Sequence, residues 1–341
     1  MPMRAVRLEN PGSLRATDVP DAAEPGPGEA LVAVRRVGVC GTDLHAFAGR
    51  QPFFSYPRIL GHELGVEVVS VGPGVDHVTA GSTCTVIPYI ACGACLPCRR
   101  GRPNCCESIA VLGIHTDGGM RERFVVPADA LVPHPSLSFD ALALVETLAI
   151  GAHAVARARP TDGDHAVVVG AGPIGLGVAL RLGALGVPTA MLDRSAERLA
   201  AARDRFGIAH VVPAADGDDE AIADALGERP TLVFDATGNP ASMNAAIDRA
   251  APSGTVVFVG LHQDEVRFVD TTFHKKELTL MASRNATRGE FEAVLADLAS
   301  GAVDPAPWIT HRTSLDRLEH DLPGYTDPSR GVVKAMLEID G

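Results

Sequence analysis

Five of the chain's seven cysteines crowd into ACGACLPCRRGRPNCCES, residues 91–108. Cys92, Cys95 and Cys98 recur every third residue, and Cys105 and Cys106 follow. Four thiolates close a tetrahedral zinc and leave no position for a reactant, so such a cluster pins a loop and does no chemistry. Spacing alone leaves Cys105 and Cys106 both open as the fourth ligand, and it also admits an iron–sulfur cluster. Cysteines packed this tightly suit metal ligation in a reducing compartment better than a disulfide framework.

A second set is scattered. Cys40 stands in GVCGTDLH, His62 and Glu63 in LGHELG, and Glu146 in LVETLAIGAHAV. One thiolate, one imidazole and one carboxylate leave the fourth position of a zinc ion to water or substrate, which is a catalytic arrangement. Zinc there polarises an alcohol oxygen and stabilises the alkoxide that expels hydride. Taken singly, a Cys after a strand reads as core and a His-Glu pair as surface; their company with a cofactor motif joins them.

That motif is Gly170-Ala171-Gly172-Pro173-Ile174-Gly175, directly after the strand-like HAVVV. The first glycine makes a tight turn, the second lets backbone approach a pyrophosphate, and the third packs helix on strand. The phosphates lie over the helix N-terminus. The next strand ends in Asp193, a carboxylate that accepts both ribose hydroxyls and repels a 2′-phosphate. NAD is therefore expected over NADP. Arg194 follows at once and offers a phosphate partner, and Arg198 is a further candidate contact.

The elements that must position these residues fall into two textures. From residue 4 to about 135 the chain reads as short β-branched strands: 5–8, 29–40, 63–72, 82–86 and 121–127. Residues 136–158 read as a helix capped by Ser138 or Asp140. Strands and helices then alternate to residue 283, the pattern of a doubly wound parallel sheet. One helix (289–301) and a final strand (332–339) complete the chain. The expected fold class is α/β, with a β-rich domain over 1–150, a parallel-sheet cofactor domain over 151–284, and a return to the first domain over 285–341.

Composition agrees. At 341 residues the chain suits two domains, and 46% hydrophobic with 21% charged residues is ordinary for a soluble protein. A net charge of -12 and the lack of a basic run argue against a nucleic-acid surface. The longest apolar segment, 167–187, is studded with glycines and reads as a buried strand and helix, not a membrane span. No signal-peptide stretch opens the chain, so a cytoplasmic location is the expectation.

Together these motifs resemble the zinc-dependent medium-chain dehydrogenase/reductase family, the alcohol, sorbitol and threonine dehydrogenases. The resemblance covers essentially the whole chain. It implies a GroES-like catalytic domain built from both chain ends around a Rossmann domain. It implies one catalytic and one structural zinc per chain, an NAD cofactor, a small-molecule alcohol substrate, and a homo-oligomer with a tetramer favoured over a dimer. Cys40 and His62 match the first two zinc ligands. Glu146 stands where the classical alcohol dehydrogenases carry a second cysteine, as in the polyol branch. Glu63 matches a second carboxylate that in some relatives reaches the metal, and the choice between the two stays open. Thr42 matches the hydroxyl that bonds the substrate alcohol, and His45 the outer end of a proton relay. The family spacing selects Cys106 as the fourth structural ligand and leaves Cys105 spare. Gly260 and Leu261 are expected beside the nicotinamide. GSTC at 81–84 departs from the family's usual Asp and Arg and adds Cys84, a matter of local packing.

The polyol-like glutamate favours a polyhydroxylated alcohol. SRNA, residues 283–286, resembles relatives that oxidise sugar acids at a secondary alcohol, such as L-gulonate or L-galactonate 5-dehydrogenases. Arg284 offers a carboxylate a bidentate fork, and Asn285 a hydroxyl contact. Arg284 binding cofactor phosphate or an interface carboxylate is the competing role. L-Threonine or a simple diol, oxidised by the same mechanism, is the alternative substrate.

Overall fold

The computed structural model describes residues 2–263 and 265–339 and divides into two units. Met1–Glu146 with Thr287–Gly341 form one, and Thr147–Ala286 the other.

The first unit is built around the strand Glu29–Val39, whose alternating apolar residues Ala30, Val32 and Val34 are buried. It pairs antiparallel with Glu63–Val71, Arg123–Pro127 and Lys334–Glu338 in a seven-stranded sheet. Register decides which side chains meet. Gly38 pairs with Glu63 on one side, and Val39 pairs with Ala335 on the other. Both neighbouring strands therefore deliver a residue beside Cys40. A side chain on Gly38 is excluded, because its Cβ would lie 2.0 Å from Glu63 Oε2.

The helix Phe139–Ala158 opens on Ser138, whose Oγ accepts from Ala141 N at 3.2 Å. It approaches the sheet at Gly65, where a Cβ would stand 2.4 Å from Phe139 O. Glu146 lies on the second turn beyond that contact. The helix is apolar enough to cross a membrane, but 78% of its most apolar window is buried inside the protein.

Several elements escape the sequence patterns, among them the strand Ser13–Val19 and the helices Asp270–Lys275 and Leu315–Asp321, and two of them bear on the site or its sheet. Gly41–Phe47 forms a helix too short to show periodicity, started by Asp43 Oδ2 accepting from Cys40 N at 2.9 Å. Ile309–Ser314 is a strand despite its polar ITHRTS, because it lies at the end of the strand order and edges tolerate polar residues.

The second unit holds six parallel strands in the order His210–Pro213, Thr189–Asp193, Ala166–Val169, Leu232–Asp235, Thr255–Phe258, Thr279–Ala282. In chain order this is 3-2-1-4-5-6, the doubly wound arrangement that binds dinucleotides where the order reverses. The first strand is wholly buried, as its unbroken apolar run requires. The segment 167–187 divides into that strand and the helix Pro173–Ala184.

Candidate active site

The cysteine lobe grows from the two-residue strand Tyr89–Ile90 and its antiparallel partner Ala110–Val111. Sulfur ligand atoms of Cys92, Cys95, Cys98 and Cys106 all lie within 4.8 Å of one another, and Cys105 is exposed and outside that set. Backbone N–H groups are aimed at the sulfurs: Cys95 N donates to Cys92 Sγ at 3.4 Å and Cys92 N to Cys106 Sγ at 3.3 Å. The amides of Ala94 and Cys95 pull Cys92 down to about 6, while desolvation and hydrogen bonding to Cys95 push Cys98 up to about 12. Four sulfurs this close cannot all ionise without a cation among them, which is the chemistry a closed zinc site requires. Cys84 is elsewhere, buried in the core of the first unit, and burial raises its thiol to about 12.

In the same unit, ligand atoms of Cys40, His62 and Glu63 lie within 4.8 Å of one another. The strand register brings them together across more than twenty residues of chain. His62 is buried, and its Nδ1 makes no hydrogen bond, standing 3.9 Å from Asp43 Oδ1. Burial draws the imidazole down, but Cys40, Asp43 and Glu146 outweigh it and hold His62 well above its ordinary value. An imidazole among so many anions calls for a cation, either a proton or a metal. Asp43 ties this geometry together, accepting from Cys40 N and, at 3.4 Å, from Gly61 N. A carboxylate behind a metal-binding histidine orients the ring and raises its basicity.

The two glutamates have different partners. Both oxygens of Glu63 accept from Lys334 Nζ, at 2.6 and 2.7 Å, and both residues are almost wholly buried. Glu146 is buried as well, and its Oε1 accepts from the hydroxyl of Tyr89. Burial and the Glu63 charge raise the Glu146 carboxyl, while His62 and Tyr89 oppose that shift. Glu146 falls outside the set of mutually close ligand atoms, although its charge reaches His62. Thr42 is half-buried in the first turn of Gly41–Phe47, and His45 lies one turn on, partly exposed on the same helix face.

In the second unit the glycine loop has the shape its motif requires. A Cβ on Gly175 would stand 1.8 Å from Gly170 O, whereas a Cβ on Gly172 would meet nothing within 4 Å. That open face lies at the N-terminus of Pro173–Ala184, which has no side-chain cap. Pro173 and Ile174 form its first turn. Asp193 reaches the loop: Oδ2 accepts from Ala171 N at 2.7 Å and Oδ1 from Ser195 N at 2.8 Å. Arg194 and Arg198 are exposed nearby in the chain. Gly260 N donates to Asp235 O at 2.9 Å, and Leu261 is exposed. Arg284 is exposed, and Asn285 is half-buried in the left-handed region with φ 53.

Residues 26–136 match the alcohol dehydrogenase GroES-like domain, and residues 173–300 match the zinc-binding dehydrogenase domain. L-Galactonate-5-dehydrogenase of Escherichia coli (strain K12) is 43% identical over 91% of this chain and 92% of its own. The chain belongs to the zinc-binding alcohol dehydrogenase family. Two crystal structures related to this dehydrogenase carry different nucleotides. An alcohol dehydrogenase from Escherichia coli CFT073, complexed with NADH, superposes with a TM-score of 0.92 at 30% identity, covering 99% of both chains. A zinc-binding dehydrogenase from Sinorhizobium meliloti 1021, bound to NADP, superposes with a TM-score of 0.90, also at 30% identity, covering 99% and 100%.

Four residues went unread in the sequence, three beside the candidate metal site of this dehydrogenase's first unit and one beside the nucleotide loop of its second. Lys334 is a single cation in the otherwise apolar end of VVKAMLEI, which is a usable signal. Asp43 stands three residues after Cys40, the spacing of a capping box. Asp235, which accepts from Thr237 N at 2.9 Å, shapes the turn beside Gly260. Tyr89 carries no signal in the sequence.

Proposed function

We propose that this dehydrogenase oxidises a secondary alcohol of a sugar acid, of the L-galactonate or L-gulonate class, with NAD as hydride acceptor. The convergence of Cys40, His62 and a buried carboxylate in one unit carries the reaction type. The 43% identical relative named L-galactonate-5-dehydrogenase supports the substrate class. In this reading residues 1–150 and 285–341 act on the alcohol, and 151–284 bind the cofactor.

Zinc bound by Cys40, His62 and a glutamate supplies a Lewis acid for the alcohol oxygen. Thr42 orients the hydroxyl and passes its proton outward, and His45 receives it. Partial burial and the Arg50 cation lower the His45 imidazole, which keeps it neutral and able to accept. Asp193 takes the ribose hydroxyls of the bound nucleotide, the glycine loop receives the pyrophosphate, and Gly260 and Leu261 line the nicotinamide. Cys92, Cys95, Cys98 and Cys106 hold the structural zinc. Arg284 pairs with the substrate carboxylate and Asn285 with a hydroxyl.

The protein works in the cytoplasm as a homo-oligomer, a tetramer in preference to a dimer. Thr279–Ala282 supports self-association, since it ends the strand order of its sheet and exposes Thr279 and Ala282. Light scattering on the purified chain reads the oligomer.

The deciding experiment follows NAD reduction with L-galactonate, L-gulonate, a neutral polyol and L-threonine. Turnover of the acids, with KM raised by Arg284→Met for the acids alone, is expected. Fast turnover of threonine with none on sugar acids overturns the substrate class.

A further inference from the structure

We propose that Tyr89 is a positioning residue for the open metal site, its hydroxyl fixing the Glu146 carboxylate so that the base of the cysteine lobe sets the coordination of the reacting metal. The inference rests on the reading of Cys40, His62 and a glutamate as that site.

Tyr89 is held on two sides. Its backbone is in the Tyr89–Ile90 strand, in register with Val111, directly before the cysteine lobe. Its ring meets the fully buried Phe291 edge-on, with centroids 6.3 Å apart and planes at 80°. The hydroxyl at the end of that fixed ring donates to Glu146 Oε1. A glutamate on a helix has three side-chain torsions to settle, and one anchored hydrogen bond on one oxygen removes most of that freedom. With Oε1 engaged, Oε2 is the oxygen Glu146 can present to a metal.

The donors on the two glutamates differ in charge, and this weighs for Glu146 although Glu63 is the carboxylate whose oxygen lies within 4.8 Å of the Cys40 and His62 ligand atoms. Glu63 takes a full cation on both oxygens. That neutralises it and makes it the poorer ligand. Glu146 takes a neutral phenol on one oxygen. A neutral donor orients the carboxylate and leaves its negative charge for the metal. A purely structural role for the hydroxyl, satisfying a buried polar atom, predicts no effect on metal binding.

The test compares wild type with Tyr89→Phe, reading zinc release to a chelator and the visible spectrum of the cobalt-exchanged protein. Tyr89→Phe should lose one of two metals about 10-fold faster, in the range for lost outer-shell contacts. The lobe metal should stay at the wild-type rate, which also reports folding. The spectrum of the labile cobalt should change. In a Glu146→Ala background, Tyr89→Phe should add nothing. Wild-type release with an unchanged spectrum, or the same loss in the Glu146→Ala background, overturns the inference while leaving the site intact. If Tyr89→Phe does not fold, Glu146→Asp withdraws the carboxylate from the hydroxyl instead, and wild-type metal retention there overturns it equally. A wild-type chain holding a single metal overturns the site and the inference together.

Discussion

Lys334 Nζ donates to both oxygens of Glu63, at 2.6 and 2.7 Å, and 271 residues of sequence separate them. Neither is exposed by more than 2% of its side chain. The same ammonium lies 3.4 Å from Val39 O, one residue before Cys40. The last strand of the chain thus supplies the counter-charge for a site whose other members come from the first half.

Removing that counter-charge should be costly. Lys334→Met leaves a buried carboxylate without its cation, and unfolding free energy should fall by about 3–5 kcal/mol. Glu63→Gln added to Lys334→Met should restore much of the loss. Urea titration of the three proteins measures it, and a single variant as stable as wild type would contradict the ion pair's role.

The cysteine lobe makes a simpler prediction about metal content. Wild type and Cys105→Ser should each hold two zinc ions per chain, and Cys106→Ser one. Cys105 lies outside the close sulfur set, whereas Cys106 is within it. Atomic emission on desalted protein counts the ions, and a metal lost from Cys105→Ser would reassign the fourth ligand.

The proposed proton release through His45 predicts a pH signature. Partial burial, followed by the Arg50 charge, lowers this imidazole from its ordinary 6.5. It is neutral at pH 7 and accepts a proton; as pH falls below 6.5 and through its lowered value it protonates, and kcat/KM should fall with it. Arg50→Gln should move that acid limb to higher pH. His45→Gln should abolish it and slow turnover by roughly 10²-fold, the lower end for an acid–base group. Identical pH profiles for wild type and His45→Gln would remove His45 from the relay.

The proposed role of Asp193 in cofactor choice is open to test, and relatives of equal identity carry NADH and NADP. Asp193→Ser removes charged hydrogen bonds worth roughly 1.5–3 kcal/mol, so kcat/KM with NAD should fall about 10- to 100-fold. NADP should become the relatively better acceptor once the repelling charge is gone. Steady-state kinetics with both nucleotides check this, and an unaltered NAD preference would shift the selecting role to other residues.

Some of this molecule is written in short stretches that fold on themselves. The sulfurs of Cys92, Cys95 and Cys98 meet because tight turns aim backbone N–H groups at them, a matter of spacing within a few residues. The loop at Gly170–Gly175 follows from glycines between a buried strand and a helix, and Asp193 from the next strand's end. The alternation of strand and helix over 166–282 carried the doubly wound sheet. The short helix after Cys40 and the polar edge strand Ile309–Ser314 were not legible, one too brief for periodicity and the other facing water.

The open site was decided elsewhere. Cys40, His62, Glu63 and Glu146 are recognisable as residue types, but no spacing between them predicts a meeting. Strand register does that work for Cys40, His62 and Glu63, through Gly38 against Glu63, whereas Glu146 arrives on the helix Phe139–Ala158. A slip of one residue would turn each side chain to the opposite face. Tertiary packing also separates two glutamates that the sequence leaves equivalent, giving Glu63 the Lys334 ammonium and Glu146 the Tyr89 hydroxyl. Local hydrogen bonding lets a sequence specify its knuckles and turns, whereas the partners of a buried charge are known only when distant strands have found their register.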